Sequence, residues 1–181
     1  MASRKGILGA LSRLFTSTRP SSVPAPAPSE GDRRPGDEII GRSGSSATVE
    51  VDPPSPQDLR IGYAPDRDGD PDAGEIVWTW VPYAENDGRG KDRPVLVIGR
   101  QDAARVFAVR LTSKSHEGDR DFLAIGTGPW DARGRPSWVD VEQLYSVHVD
   151  GMRREASALD RERFARVATE LHERYGWSVG A

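Results

Sequence analysis

All five tryptophans of this chain lie at or after Trp78, whereas ten of its fourteen prolines lie between Pro20 and Pro71. Large aromatic side chains build cores, and proline clusters resist regular structure. This partition confines the expected folded part to the 108 residues from Gly74 to Ala181. That length supports one small core. Ahead of it, residues 20–73 read as a linker. Runs such as Ser21-Ser-Val-Pro-Ala-Pro-Ala-Pro-Ser29 cannot bury enough apolar area to offset the entropy of ordering them. Residues 1–19 read as a basic amphipathic leader, with Ile7, Leu8, Leu11, Leu14 and Phe15 at helical spacing among Arg4, Lys5 and Arg13. Residues 4–15 could make a weak contact with an anionic membrane surface. Two glycines weaken this segment as an isolated helix by roughly 1 kcal/mol each, so a transient helix on a disordered tail is the plainer reading.

Charge follows the same partition. Residues 1–36 carry a net +4, residues 37–73 carry −6, and the remainder carries −1, which gives −3 for the whole chain. A near-neutral folded region has no bulk attraction for nucleic acid, so any such binding must come from a local patch. The absence of cysteine removes disulfide scaffolds, thiol nucleophiles and thiolate metal sites, and it suits a cytoplasmic location. No apolar stretch approaches the roughly 20 residues that a membrane span needs.

The run Asp66-Arg-Asp-Gly-Asp-Pro-Asp72 invites a calcium reading that its spacing refuses. Counted from Asp66, glycine falls at the fourth position instead of the sixth, and Val77 stands where a bidentate glutamate belongs. Beyond Gly74 the pattern becomes short β-like runs: Glu75–Val81, Arg93–Ile98, Arg105–Leu111, Asp121–Ile125, Ser137–Val141 and Leu144–Val149, with a further edge over Met152–Ala156. One helix follows. Asp160 is a suitable N-cap, Phe164, Val167, Ala168, Leu171 and Tyr175 form one apolar stripe, and Gly176 suits the position just past the end. The fold class expected is therefore mainly β (α+β): a small, strongly bent sheet or barrel with a C-terminal helix packed on it.

Taken in order, Gly74-Glu-Ile-Val-Trp78, Arg93-Pro-Val-Leu-Val97, Val109-Arg-Leu-Thr-Ser113 and Glu142-Gln143 resemble the PemK/MazF family, the toxin halves of toxin–antitoxin pairs. The resemblance implies an SH3-like barrel that forms homodimers. It also implies a metal-independent endoribonuclease that needs no cofactor and acts on single-stranded RNA, with a separate cognate antitoxin as partner. The family's catalytic positions fall on Arg93, Thr112 and Glu142. Ser113, Gln143, Lys91, Lys114 and His116 accompany them as substrate-binding residues.

The chemistry suits these side chains. Cleavage without metal needs a proton acceptor for the 2′-OH, a donor for the leaving 5′-oxygen and donors for the crowded phosphate oxygens. Arg93 offers a planar, permanently charged fork for those oxygens, and Thr112 offers a neutral donor. Glu142 could take the 2′-OH proton if burial raised its pKa, and His116 could supply the acid. Each also has a plainer reading: a strand-start arginine paired with Asp92 or Glu142, ordinary strand-end hydroxyls, a surface glutamate, a solvated loop histidine. The run His116-Glu117-x-Asp119-x-Asp121 has metal-binding side chains without a recognisable metal spacing. Trp78, Trp80, Phe107, Trp130 and Trp138 are expected mostly in the core or a dimer seam.

Two departures stand out. The stretch Tyr83–Asp92 carries three acids and no histidine, and Asp140 occupies a position where relatives can carry arginine, so an acid there is expected to repel phosphate. These departures leave room for a second reading, in which a catalytically weakened barrel binds nucleic acid or protein as the gyrase-poisoning toxins do. A third reading makes the leader the working part of a membrane adaptor.

Overall fold

Strands near the middle of the chain are apolar at successive positions, not alternate ones, and a strand of that kind must be buried on both faces. In a computed structural model of the chain, which describes residues 39–66, 70–85 and 87–180, this double burial is achieved by curling the sheet. Among the described residues nine strands and one α-helix follow in order: β1 Val49–Val51, β2 Arg60–Ile61, β3 Glu75–Pro82, β4 Gly90–Arg100, β5 Arg105–Thr112, β6 Phe122–Gly126, β7 Ser137–His148, β8 Met152–Ala158, α1 Arg161–Tyr175 and β9 Ser178–Val179. Seven strands form one antiparallel sheet in the order β1-β7-β5-β4-β3-β8, with β6 also on β7, and β2 pairs in parallel with β9.

Alternate residues of the curled sheet build two cores. Val77, Val81, Val95, Val97, Val106, Ala108, Tyr145 and Val147 close on one another inside the curl. Leu96, Ile98, Val109, Leu111, Val139 and Leu144 face outward against Phe164, Val167, Ala168 and Leu171 of α1. The helix has the expected ends. The Asp160 carboxylate accepts the Arg163 amide at 3.0 Å, and Gly176 closes it at φ +73°.

Among the described residues the two end strands, β1 and β8, are not paired with each other, so the sheet is not a closed barrel. Side chains span the gap instead. The Thr79 hydroxyl donates to the Gly151 carbonyl (2.7 Å), which makes Thr48 the donor in the 2.6 Å Thr48–Thr79 bond. Gly151 lies so close to the preceding segment that a Cβ there would sit 2.1 Å from the Ser46 carbonyl oxygen.

The expected linker over 20–73 requires correction for its described part. Residues 39–61 are a strap built into the fold. Glu50 on β1 pairs across from Tyr145, and Leu59 and Ile61 are fully buried in the outer core. The Arg105 guanidinium donates to the carbonyls of Ser45 and Ala47. Two buried aliphatic side chains contribute about 3–6 kcal/mol, which outweighs the proline-rich composition that argued for disorder. The leader at 1–19, including residues 4–15, lies outside the described residues. So do residues 67–69 of the acidic run.

Candidate functional site

The register between β5 and β7 slips midway. Val109 faces Leu144, but two residues on Leu111 faces Val139, so β7 carries extra residues around 140–143 opposite Arg110. A bulge of this size leaves amides without ladder partners. Asp140, 2% exposed, supplies one: its Oδ1 accepts the Glu142 and Gln143 N–H groups at 3.0 and 3.2 Å. Its other oxygen accepts Nε and Nη2 of Arg110 at 2.8 and 2.7 Å. The acid expected to repel phosphate is therefore the counter-ion of a neighbouring arginine and the clamp of the bulge.

Arg93 lies on β4 across from Thr79. The β4–β5 ladder ends with Val95 opposite Arg110, and side chains alternate between the two faces along each strand. Arg93, Thr112 and Arg110 thus share one face of the sheet. Arg93 does not pair with Asp92, whose carboxylate binds Arg153 instead. The Nε of Arg93 is buried with no acceptor among the described residues. Burial first, and the Arg110 charge second, press the Arg93 guanidinium below its ordinary pKa, while the Tyr83 and Tyr145 phenols oppose the shift. Two cations converge here with one counter-ion between them, and a buried donor lacks a partner. Such an arrangement favours an anion.

The Tyr145 hydroxyl donates to Gln143 Oε1 at 3.0 Å, which ties the bulge to this face. Its phenol is pushed up to about 12, chiefly by burial, with Arg110 and Arg93 opposing and Glu50 and Asp140 adding to the rise. The Thr112 oxygen accepts the Lys114 amide at 3.2 Å, which leaves its hydroxyl proton available.

The other expected residues are placed differently. Glu142 is exposed on the bulge, its carbonyl accepts the Tyr175 hydroxyl at 2.9 Å, and its charge acts on Tyr175 and not on Arg93. Ser113 is half-buried just past β5, while Lys91 and Lys114 are exposed. His116 stacks on Phe122 with ring centroids 3.5 Å apart and lies 3.3 Å from the Asp119 carboxylate, so it helps hold the 113–121 loop. Among the described residues no three His, Cys, Asp or Glu side chains converge as a metal site requires. Nor is any helix there long and apolar enough to cross a membrane.

A family model for the PemK-like, MazF-like toxins of type II toxin–antitoxin systems matches residues 72–174, more than half of the chain. The chain belongs to the PemK/MazF-like toxin family. No curated protein matches it. Solved structures resemble it more distantly. An endoribonuclease in complex with its cognate antitoxin from a mycobacterial species is 18% identical; the match covers 57% of this chain and 93% of that one, with a TM-score of 0.44. A MazE–MazF complex from Deinococcus radiodurans is 22% identical over 60% of this chain and 97% of that one, with a TM-score of 0.45. The Mycobacterium tuberculosis toxin MazF-mt6 is 15% identical over 57% and 98%, with a TM-score of 0.43.

Within this PemK/MazF-like chain, Arg93, Thr112 and the bulge fall inside the matched region, whereas the strap with β1 and β2, and also β9, falls outside it. Sequence reasoning missed Arg110, Tyr145 and Glu50. Arg110 carried a usable signal: in Arg105-Val-Phe-Ala-Val-Arg-Leu-Thr112 it is the one charge inside an apolar run, and it is in phase with Thr112. Glu50 carried none, because its place beside Tyr145 depends on a pairing that spans most of the chain.

Proposed function

We propose that this PemK/MazF-like toxin is a metal-independent endoribonuclease that cleaves single-stranded RNA and so inhibits growth. The observation that supports this most is the buried Arg93 Nε, without an acceptor, near Arg110 and on the face of the sheet that also carries Thr112. A phosphodiester at that point supplies the missing acceptor and the missing negative charge. The 2′-oxygen then attacks phosphorus as the bond to the 5′-oxygen breaks, leaving a 2′,3′-cyclic phosphate and a 5′-hydroxyl. Arg93 stabilises the charge that gathers on the equatorial oxygens, and the Thr112 hydroxyl holds one of them. Arg110 is held by Asp140 and adds field without contact. Glu142, exposed on the bulge next to Gln143, takes the 2′-OH proton in this scheme, and solvent water gives the leaving 5′-oxygen its proton. The reading also includes a homodimer, a cytoplasmic setting and a cognate antitoxin that covers the RNA-binding face.

The test uses the full chain, because the strap is part of the fold. A mixed-sequence single-stranded RNA is incubated with it in EDTA, beside Arg93→Ala and Glu142→Gln. Fragments ending in 2′,3′-cyclic phosphate, absent with Arg93→Ala, are expected. Glu142→Gln should lower kcat at unchanged melting temperature. Cleavage that survives Arg93→Ala, or that requires a divalent ion, overturns the assignment.

A further inference from the structure

The strap and the β3–β4 hairpin enclose a cleft of about 460 Å³, lined among others by Arg42, Glu50, Asp52, Trp80 and Tyr83. Both its walls adjoin the anion site. On one wall, the Tyr83 phenol is near enough to bear on the Arg93 charge. On the other, Glu50 pairs across from Tyr145, which holds Gln143 and feels both arginines.

We infer that this cleft is a nucleobase subsite and that its base is guanine, an inference that rests on the RNA-cleaving reading above. The cleft has flat surfaces on which a base can stack: the Tyr83 ring, and the Arg42 guanidinium, itself centred 5.2 Å over the Trp80 ring. Its acids decide which part of the RNA enters. Glu50 and Asp52 repel a phosphate, and Arg89, the second cation of the lining, already has Asp87 at 2.6 Å. The backbone therefore lies at Arg93 and a base turns into the cleft.

Hydrogen-bond pattern then selects among bases. Glu50 is exposed, and no hydrogen bond or ion pair holds its carboxylate among the described residues. A carboxylate only accepts. The Watson–Crick edge of guanine presents two adjacent donors, N1–H and the N2 amine, which match two carboxylate oxygens. Adenine and cytosine present one donor beside an acceptor, and uracil presents one donor between two acceptors. Because Glu50 comes from a segment outside the matched family region, this discrimination belongs to this chain and not to its family domain.

The test pairs binding with cleavage on the full chain. Binding is measured with 2′-deoxy oligonucleotides, which lack the attacking hydroxyl and so report affinity whether or not the chain cuts. A single guanine in an otherwise guanine-free strand should tighten Kd about tenfold. Inosine, which lacks the N2 amine, should lose most of that gain. Glu50→Gln should abolish the preference at unchanged melting temperature, and Tyr83→Ala should weaken all strands alike.

Cleavage without base preference overturns this inference and leaves the nuclease reading intact. Preference through Glu50 without cleavage does the reverse. Preference that persists in Glu50→Gln, or a cleft that takes a basic peptide and no oligonucleotide, overturns the assignment to a base.

Discussion

Asp140 offers the most exacting test of how the site is built. The Asp140→Ala substitution removes four hydrogen-bonded contacts at once: two from Arg110 at 2.8 and 2.7 Å and two from the Glu142 and Gln143 amides at 3.0 and 3.2 Å. Breaking a buried ion pair on one side costs about 3–5 kcal/mol, since the remaining charge stays buried. The Arg110 side chain keeps 24% of its exposure, which places this case near 3. The amides add about 1 kcal/mol, because water reaches the exposed Glu142 side of the bulge. A loss of about 4 kcal/mol lowers the melting temperature by roughly 10–15 °C for a unit of this size. Urea denaturation read by tryptophan fluorescence measures it. Asp140→Asn, which keeps an acceptor for the amides, should cost about half as much. The double variant Asp140→Asn with Arg110→Met should recover part of the loss, because it removes the stranded cation. A change below 1 kcal/mol for Asp140→Ala would refute the view that this carboxylate holds the bulge.

Three further outcomes follow from the same structure. Arg93→Lys keeps the charge but loses the fork, so RNA cleavage should fall at least a hundredfold with stability nearly unchanged, read by single-turnover kinetics. Thr79→Val leaves Thr48 and the Gly151 carbonyl without their shared partner and should cost about 1–3 kcal/mol, with amide exchange rising first in the strap. Tyr145 titrates near 12 when folded and near 10 when unfolded, so the unfolded chain loses this proton first as pH rises. The stability it contributes is full below pH 10 and is lost towards pH 12, on the order of 2 kcal/mol. Tyr145→Phe should therefore show a shallower alkaline decline in denaturation midpoints; an equal slope would sink the argument.

What the sequence revealed and what it hid follow from range. The helix between Asp160 and Gly176 was legible because caps and stripe are local, and Glu75–Val81, Arg105–Leu111 and the runs on β7 were legible from apolar and β-branched content. Arg93 and Thr112 could be named from the ordered motifs, and strand alternation from the Val95–Arg110 pair puts both on the face that carries Arg110. The strap was hidden for an opposite reason. Leu59 and Ile61 are isolated apolar residues among prolines, and what they pack against, the outer core with Trp177 and α1, lies farther along the chain, as does β9, which pairs with β2. Asp140 was misread because sequence showed an acid near a phosphate site but not the cation bonded to it. Glu142 and Gln143, a catalytic and a substrate-binding candidate, could be named as neighbours, but their different surroundings on the bulge depend on long-range pairing.

The pairing of β2 with β9 sets the order in which the molecule can be completed. Arg60 meets Ser178, more than a hundred positions later, and Val49 meets Ser146. Contacts of such separation form late and slowly. On a translating ribosome the strands carrying Arg93 and Thr112 emerge well before the residues that fasten the strap, so Glu50 joins β7 only after most of the domain has been made. A chain assembled in that sequence keeps its strap, and Glu50 with it, unfastened until β7 and β9 have been made.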